Sequence, residues 1–178
     1  MGGGLMLVWS CDLIVASDSA RFSDPVMALG VKHEFFVHAW EVGARRAKEM
    51  LFTGGALDAN EAHRHGMVNH VVPLAELESF TLDLAGRIAR MPSMGLKLAK
   101  QAVNQSLEAQ GQWAALRAAF SLHQLGHAHN QQVHGGLIDP AGIEIVRERS
   151  RGCLPRPSHT TNGSTRQHLD AGGLHPAQ

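Results

Sequence analysis

The sequence predicts an α/β protein in which a core of short strands and helices is followed by a helical C-terminal region. In the first part of the chain, short apolar runs alternate with turn-forming residues, which is typical of short strands. In the second part, apolar residues recur at helical spacing. We divide the chain into a core over 1–104, a C-terminal helical region over 105–150 and a tail over 151–178. The tail has hardly any apolar residues, so we expect it to be disordered.

The core begins with the apolar residues 4–9, which fit either a buried helix or a strand because periodicity does not separate the two in so short a run. Residues 13–16 and 20–22 predict two short strands around a Ser-Asp-Ser turn. Residues 34–41 and 44–52 predict two short helices separated by a glycine.

Asp58 and Glu61 show the spacing of a capping box, in which each side chain accepts a hydrogen bond from the backbone of the other residue. They predict a helix that stops at Gly66, and residues 68–72 then predict a last short strand. The remaining elements are four helices, predicted over 74–90, from Pro92 with Ser93 as its cap, around 113–125, and from Asp139 onward.

Composition excludes several classes of protein. Lys and Arg number 16, as do Asp and Glu, so the formal net charge of +0 gives no basic footprint for nucleic acid or for an anionic membrane surface. No apolar run is long enough to span a membrane, and the N-terminus does not read as a signal peptide. Cys11 and Cys153 lie far apart, and we expect reduced thiols in a cytoplasmic protein.

Three consecutive glycines, Gly2, Gly3 and Gly4, stand at the head of the first apolar segment. Glycine at the head of an apolar segment lets the backbone approach a ligand closely and leaves N–H groups free to donate. The run therefore predicts a site for an oxyanion. Alternatively, the glycines only permit close packing or fray at the terminus.

These glycines and several later blocks resemble the enoyl-CoA hydratase/isomerase (crotonase) superfamily. The matching blocks occur in the family's order over about residues 2–150. They are the Gly2-Gly3-Gly4 run, Cys11-Asp12-Leu13-Ile14-Val15-Ala16, Ala20-Arg21-Phe22 followed by Pro25 and Leu29-Gly30, Ala47-Lys48-Glu49-Met50-Leu51-Phe52-Thr53-Gly54, Leu57-Asp58-Ala59, Gly66-Met67-Val68-Asn69-His70-Val71-Val72-Pro73, and Leu96-Lys97-Leu98-Ala99-Lys100-Gln101-Ala102-Val103-Asn104.

This resemblance implies a partial crotonase-like ββα spiral core followed by helices that build homo-oligomers, either trimers or hexamers. It implies an acyl-CoA thioester as substrate, with coenzyme A as part of the substrate and no separate cofactor. It also implies that the Gly3 N–H is one of two donors to the acyl oxygen. Full members have a front half ahead of the glycine run, so we expect a truncated product or a start codon assigned too late.

The resemblance also exposes a departure at the catalytic positions. Where the hydratase pattern has two glutamates, this chain has Met6 and Val26, and neither side chain transfers a proton. Asp24 would share a face with Val26 on a regular strand, or would instead cap the turn before Pro25. Glu34 falls where the family has a pocket-lining loop. Its two phenylalanine neighbours would desolvate it and suit it to general acid–base work, unless it is simply a helix-start glutamate.

Histidines supply two further patterns. His38 and Glu41 follow Glu34 at helical spacing, so the three form either a proton relay or a polar helix face. His123 and His127 stand four apart on a predicted helix, but no acidic or cysteine third ligand is evident and we predict no metal.

The sequence thus predicts a protein that acts on an acyl-CoA thioester by stabilising an oxyanion. Gly3, Asp24 and Glu34 are its candidate site residues. The alternative is a non-catalytic remnant or an oligomerisation module of the same family.

Overall fold

Two short two-stranded sheets lie among the helices of the computed structural model, which describes residues 2–153. The strands are β1 (Val15–Ser17), β2 (Arg21–Ser23), β3 (Ala56–Asp58) and β4 (His70–Val72). β1 pairs in parallel with β4, with Val15 opposite His70. β2 pairs antiparallel with β3, with Phe22 opposite Leu57. The α/β class predicted from the sequence is therefore confirmed.

Helices provide most of the described residues. They are α1 (Gly3–Trp9), α2 (His38–Val42), α3 (Ala44–Thr53), α4 (Ala59–Arg64), α5 (Leu77–Ala89), α6 (Ser93–Ala109), α7 (Gln112–His134) and α8 (Gly142–Cys153), with 3₁₀ turns at Pro25–Leu29 and Leu74–Glu76. Local chemistry sets several of these boundaries. Gly54 ends α3 in the left-handed region at φ 62°, and the predicted capping box of Asp58 and Glu61 starts α4.

The core gathers the apolar sides of α1, α3 and α4 around the short sheets. Leu5 and Trp9 from α1 pack with Met50 of α3 and Leu57 of β3. Leu57 is fully buried and Met50 nearly so. Each such side chain stabilises the fold by about 2–3 kcal/mol through removal of apolar surface from water. This packing fixes α1, and with it the glycine run, against β2.

The structure decides the ambiguous start in favour of a helix and corrects three local predictions. The helix predicted over 34–41 is wrong, because only His38–Val42 forms α2. Val31, His33 and Val37 are buried with more exposed residues between them, and residues 31–37 form an irregular segment with a bend at Glu34 and Phe35. We call residues 30–37 the histidine loop.

The second correction concerns Asp24 and Val26, which do not share a strand face. β2 ends at Ser23, because Pro25 cannot donate to a ladder and begins a 3₁₀ turn instead. The third correction is at α6, where Pro92 is the residue before the helix and the Ser93 side chain provides no cap.

The C-terminal helices lie against the histidine loop and the 3₁₀ turn before it. A Cβ at Gly126 of α7 would lie 3.0 Å from the Gly30 carbonyl oxygen, so only glycine allows this close approach. The buried Asn130 side chain donates to the Leu29 carbonyl at 2.9 Å and to the Leu137 carbonyl at 3.2 Å. α7 therefore holds the loop from outside.

The last described helix continues past the predicted boundary at residue 150 and reaches Cys153. The rest of the predicted disordered tail lies outside the described residues. Within residues 2–153, no helix combines the length and the apolar composition that crossing a membrane requires.

Candidate active site

The glycine run forms the first turn of α1. Gly2 adopts φ 53°, and its N–H donates to the Ser23 carbonyl at 3.2 Å, which joins the start of α1 to the end of β2. Gly3 and Gly4 are exposed, and no atom lies within 4 Å of the point where a Cβ on Gly3 would stand. First-turn N–H groups have no acceptor inside their own helix. The Gly3 N–H therefore has no acceptor within α1 and lies on an exposed turn.

Asp24, the residue after Ser23, lies at the centre of a buried cluster with two histidines. Its Oδ2 accepts a hydrogen bond from His38 Nε2 at 2.9 Å, and its Oδ1 lies 2.7 Å from His33 Nε2. The second contact is poorly aligned for a hydrogen bond and acts as a close charge contact. Asp24 also accepts from the Val26 N–H at 3.4 Å, so the turn-capping alternative is confirmed.

Burial and the two imidazoles act in opposite directions on this carboxyl group. Burial alone raises the pKa of Asp24, but the contacts from His33 and His38 and their positive charge hold that pKa well below its usual range. With 1% of its side chain exposed, Asp24 is a fixed carboxylate that orients both rings. The His38 imidazole is fully buried against Trp9 and Phe36, whose ring centroids lie 4.6 Å and 4.9 Å from its own.

Glu34 lies at the outer edge of the same cluster. Its side chain is 45% exposed, so the flanking phenylalanines do not enclose it as predicted. Its Oε2 lies 4.0 Å from His33 Nδ1 and 3.7 Å from His123 Nε2 on α7. Glu34 is also outside α2, so the predicted shared helix face with His38 and Glu41 is wrong.

Glu41 is the desolvated carboxyl group that the sequence had suggested at Glu34. Burial raises the pKa of Glu41 to about 7. The side chain faces a cavity of about 640 Å³ between the end of α1, the histidine loop and helices α6 and α7. The walls of this cavity include Trp9, Phe35, Lys100, Trp113 and Leu116.

The fold thus brings the three predicted site residues to one region, each in a different environment. Gly3 is exposed on α1, Asp24 is buried beside the strand end that anchors α1, and Glu34 reaches Asp24 only through His33. Sequence reasoning missed His33 and His38 as partners of Asp24. No local signal marks them, because they follow Asp24 by 9 and 14 residues and meet it only through the fold.

Comparison with known proteins places this geometry in a family. The family model described as enoyl-CoA hydratase/isomerase matches residues 1–138. A putative enoyl-CoA hydratase of Mycobacterium tuberculosis, EchA13, is 47% identical over 150 residues, which is 83% of this chain and 47% of that protein. A short-chain-enoyl-CoA hydratase of Clostridium acetobutylicum is 36% identical over 111 residues, covering 61% of this chain and 42% of that protein.

Solved structures point to the same family as the sequence comparison. A probable enoyl-CoA hydratase from Mycobacterium smegmatis matches with a TM-score of 0.76 and 52% identity, over 78% of this chain and 57% of that one. A probable enoyl-CoA hydratase from Mycobacterium thermoresistibile gives a TM-score of 0.76 and 48% identity, over 78% and 56%. The chain spans about half the length of the curated relatives it matches. Because the family model covers residues 1–138, which is most of the chain, and the fold matches over 78% of the chain, the protein belongs to the enoyl-CoA hydratase/isomerase family.

Proposed function

We propose that this chain acts on an acyl-CoA thioester by stabilising the oxyanion of its enolate, with the Gly3 N–H as one donor. The observation that carries the proposal is the exposed first turn of α1, which is fixed to the end of β2 by the Gly2–Ser23 hydrogen bond. A donor held in place before the reaction costs no reorganisation when charge develops on the oxygen. The family membership and the names of the hydratases above support the same substrate class.

Proton transfer in this proposal does not use the two glutamates of the hydratase pattern. Their positions hold Met6, on α1, and Val26, in the 3₁₀ turn. Of the two candidate carboxylates, Glu34 is the one with solvent access and could exchange protons, whereas Asp24 has both oxygens engaged and positions His33 and His38. Coenzyme A enters as part of the substrate, and no other cofactor has a role.

The test measures the enolate step itself. Exchange of the α-hydrogen of butyryl-CoA with deuterated solvent, followed by proton NMR, reports enolate formation without requiring water addition. Gly3→Pro removes only the N–H, since proline is tolerated at the first position of a helix. We expect the rate of α-hydrogen exchange to fall by roughly 10²-fold or more, which is the effect of removing one oxyanion donor.

Gly3→Ala is the matched control, because it keeps the N–H and its Cβ would meet no atom within 4 Å. Exchange that falls equally in Gly3→Ala and Gly3→Pro would refute a role for the N–H. A wild-type chain that binds butyryl-CoA but catalyses no exchange, and does not hydrate crotonyl-CoA, would refute the catalytic proposal.

A second candidate function is an oligomerisation module without catalysis. The specific observation that favours it is the apolar surface of α7, where large side chains stay exposed, among them Trp113, Phe120, Leu122, Leu125 and Val133. Patches of this kind mark interaction sites. We propose that residues 105–150 join copies of the chain into a trimer or hexamer in the cytoplasm. Sedimentation velocity tests this, and a monomer at all concentrations would exclude it.

A further inference from the structure

Two histidines on α7 face each other beside the histidine loop. His123 and His127 are one helical turn apart, and their Nε2 atoms lie 3.0 Å from each other. The other nitrogen of each ring faces a backbone carbonyl. Nδ1 of His123 donates to the Lys32 carbonyl, and Nδ1 of His127 donates to the Leu137 carbonyl at 2.6 Å.

Counting protons on these rings leads to an unusual result. A carbonyl oxygen only accepts, so each Nδ1 must carry a hydrogen. In a neutral imidazole the second nitrogen then has a lone pair and no hydrogen. Two neutral rings would therefore direct lone pairs at each other across 3.0 Å, which is repulsive. One added proton between the two Nε2 atoms turns this contact into an N–H···N hydrogen bond.

The charges around the pair fit a single added proton. The carboxylate of Glu34 lies 3.7 Å from His123 Nε2 and compensates one positive charge. Lys32 of the same loop donates from Nζ to the His33 carbonyl at 2.5 Å and to the Ala119 carbonyl at 3.3 Å, so a cation is already present. A second proton on the pair would place two cations within 3.0 Å beside that ammonium group.

The remaining charged groups nearby are already engaged with other partners. His33 is directed at Asp24 through Nε2 and at Glu34 through Nδ1. Two turns further along the same face of α7, His134 lies 3.9 Å from Asp139. A metal is a poorer occupant, because the described residues contain no group of three or more His, Cys, Asp or Glu arranged to hold one.

We propose that His123 and His127 form a proton-binding site that holds one shared proton and clasps α7 to the histidine loop, with Glu34 as counter-ion. The clasp joins three segments, since its two carbonyl acceptors belong to the loop and to the turn before α8. Its second effect is on Asp24, because the same loop carries His33. Losing the shared proton leaves the two Nε2 lone pairs opposed and so weakens the Nδ1 contact by which His123 holds the loop. The site shares Glu34 with the proposed function, but neither test below uses acyl-CoA, so the two proposals can fail separately.

The first test reads the protonation of each ring nitrogen. Nitrogen-15 NMR of histidine-labelled protein, treated with a chelator, separates protonated from unprotonated ring nitrogens between about pH 5 and pH 8. Both rings should carry hydrogen on Nδ1, and both Nε2 signals should lie between the protonated and unprotonated values over a common pH range. His127→Asn keeps a donor at the Nδ1 position but removes Nε2, and the intermediate signal of His123 should vanish.

The second test measures the clasp. The Asp139 N–H donates to the Leu29 carbonyl at 2.9 Å and so reports whether the turn before α8 stays on the 3₁₀ turn. His127→Asn keeps a donor to the Leu137 carbonyl but makes it neutral, so hydrogen exchange at this amide should speed by roughly fivefold, the difference between a hydrogen bond to a charged group and one between neutral groups. His129→Asn is the matched control, because this exposed histidine on the same helix lies outside the pair.

Three results would overturn the proposal. The first is Nε2 signals at the unprotonated value in both rings across the pH range. The second is an intermediate signal that appears only after zinc is added, which would make the site a metal site. The third is equal exchange at Asp139 in the His127→Asn and His129→Asn proteins.

Discussion

Replacing Glu41 by glutamine should stabilise the protein at alkaline pH and change it little at acidic pH. Glu41 stands on α2 at the edge of the cavity between the histidine loop and α6–α7, where burial raises the pKa of its carboxyl from the ordinary 4.5 to about 7. Glutamine has nearly the same shape and remains polar but never ionises. The substitution therefore removes only the cost of holding a negative charge in this position.

The sign and the size of this change in stability follow from how the folded and unfolded states bind the Glu41 proton. The unfolded chain releases this proton near 4.5, whereas the folded protein keeps it until about 7, so between these values stability falls as pH rises. Each tenfold change in the acid constant corresponds to about 1.36 kcal/mol. The pKa of Glu41 differs by about 2.5 (7 − 4.5) between the folded and unfolded states, so Glu41→Gln can raise the free energy of unfolding by at most about 3.4 kcal/mol. The cavity is open to water, which screens the charge, so we expect about 1–2 kcal/mol at pH 8.

Urea unfolding followed by tryptophan fluorescence measures the effect. We expect a higher midpoint for Glu41→Gln than for wild type at about pH 8, and about a quarter of that free-energy difference at about pH 5. Glu78→Gln, on an exposed position of α5, is the control and should change neither midpoint. A Glu41→Gln protein that is less stable at pH 8, or equally stabilised at both pH values, would contradict the desolvation argument.

Three further outcomes can be checked by urea unfolding. Asp24→Ala should cost about 3–5 kcal/mol at neutral pH because it leaves two buried imidazoles without their carboxylate. The folded pKa of Asp24 is lowered, so this penalty should shrink as pH falls below 3.8, and a constant penalty would argue against the ion pair. Gly142→Ala should cost about 2 kcal/mol or more, since its Cβ would lie 1.7 Å from the Ala28 carbonyl oxygen, whereas Gly95→Ala, with open space around it, should stabilise α6 by about 0.5–1 kcal/mol. Asp58→Ala should cost about 1 kcal/mol through loss of the α4 cap, and Asp58→Asn should restore most of it.

The sequence could predict the elements whose causes are local. The capping box at Asp58 and Glu61, the division of helices at Gly43 and the amphipathic helices after Pro73 all depend on residues within a few positions of one another, and each is present.

The environment of the candidate site could not be predicted in the same way. Glu34 was expected to be desolvated because of its two phenylalanine neighbours in sequence, yet a neighbour in sequence does not have to cover a side chain in space. The chain bends at Glu34 and Phe35, with Val31 and His33 buried, and Glu34 is left at the surface. Glu41 is desolvated instead by walls contributed from α1, α6 and α7, which no local pattern records.

The hold of α7 on the histidine loop also determines when the Asp24 cluster can form during synthesis. Lys32 meets Ala119, which is 87 residues later, and His123 is 91 residues beyond the carbonyl it binds. Contacts this distant in sequence form slowly, and a ribosome delivers the loop well before the helix that secures it. In a nascent chain, the loop that carries His33 therefore lacks its contacts with α7 until that helix has emerged, and a ribosome stalled before α7 would carry only the Asp24–His38 part of the cluster, packed by Trp9 and Phe36.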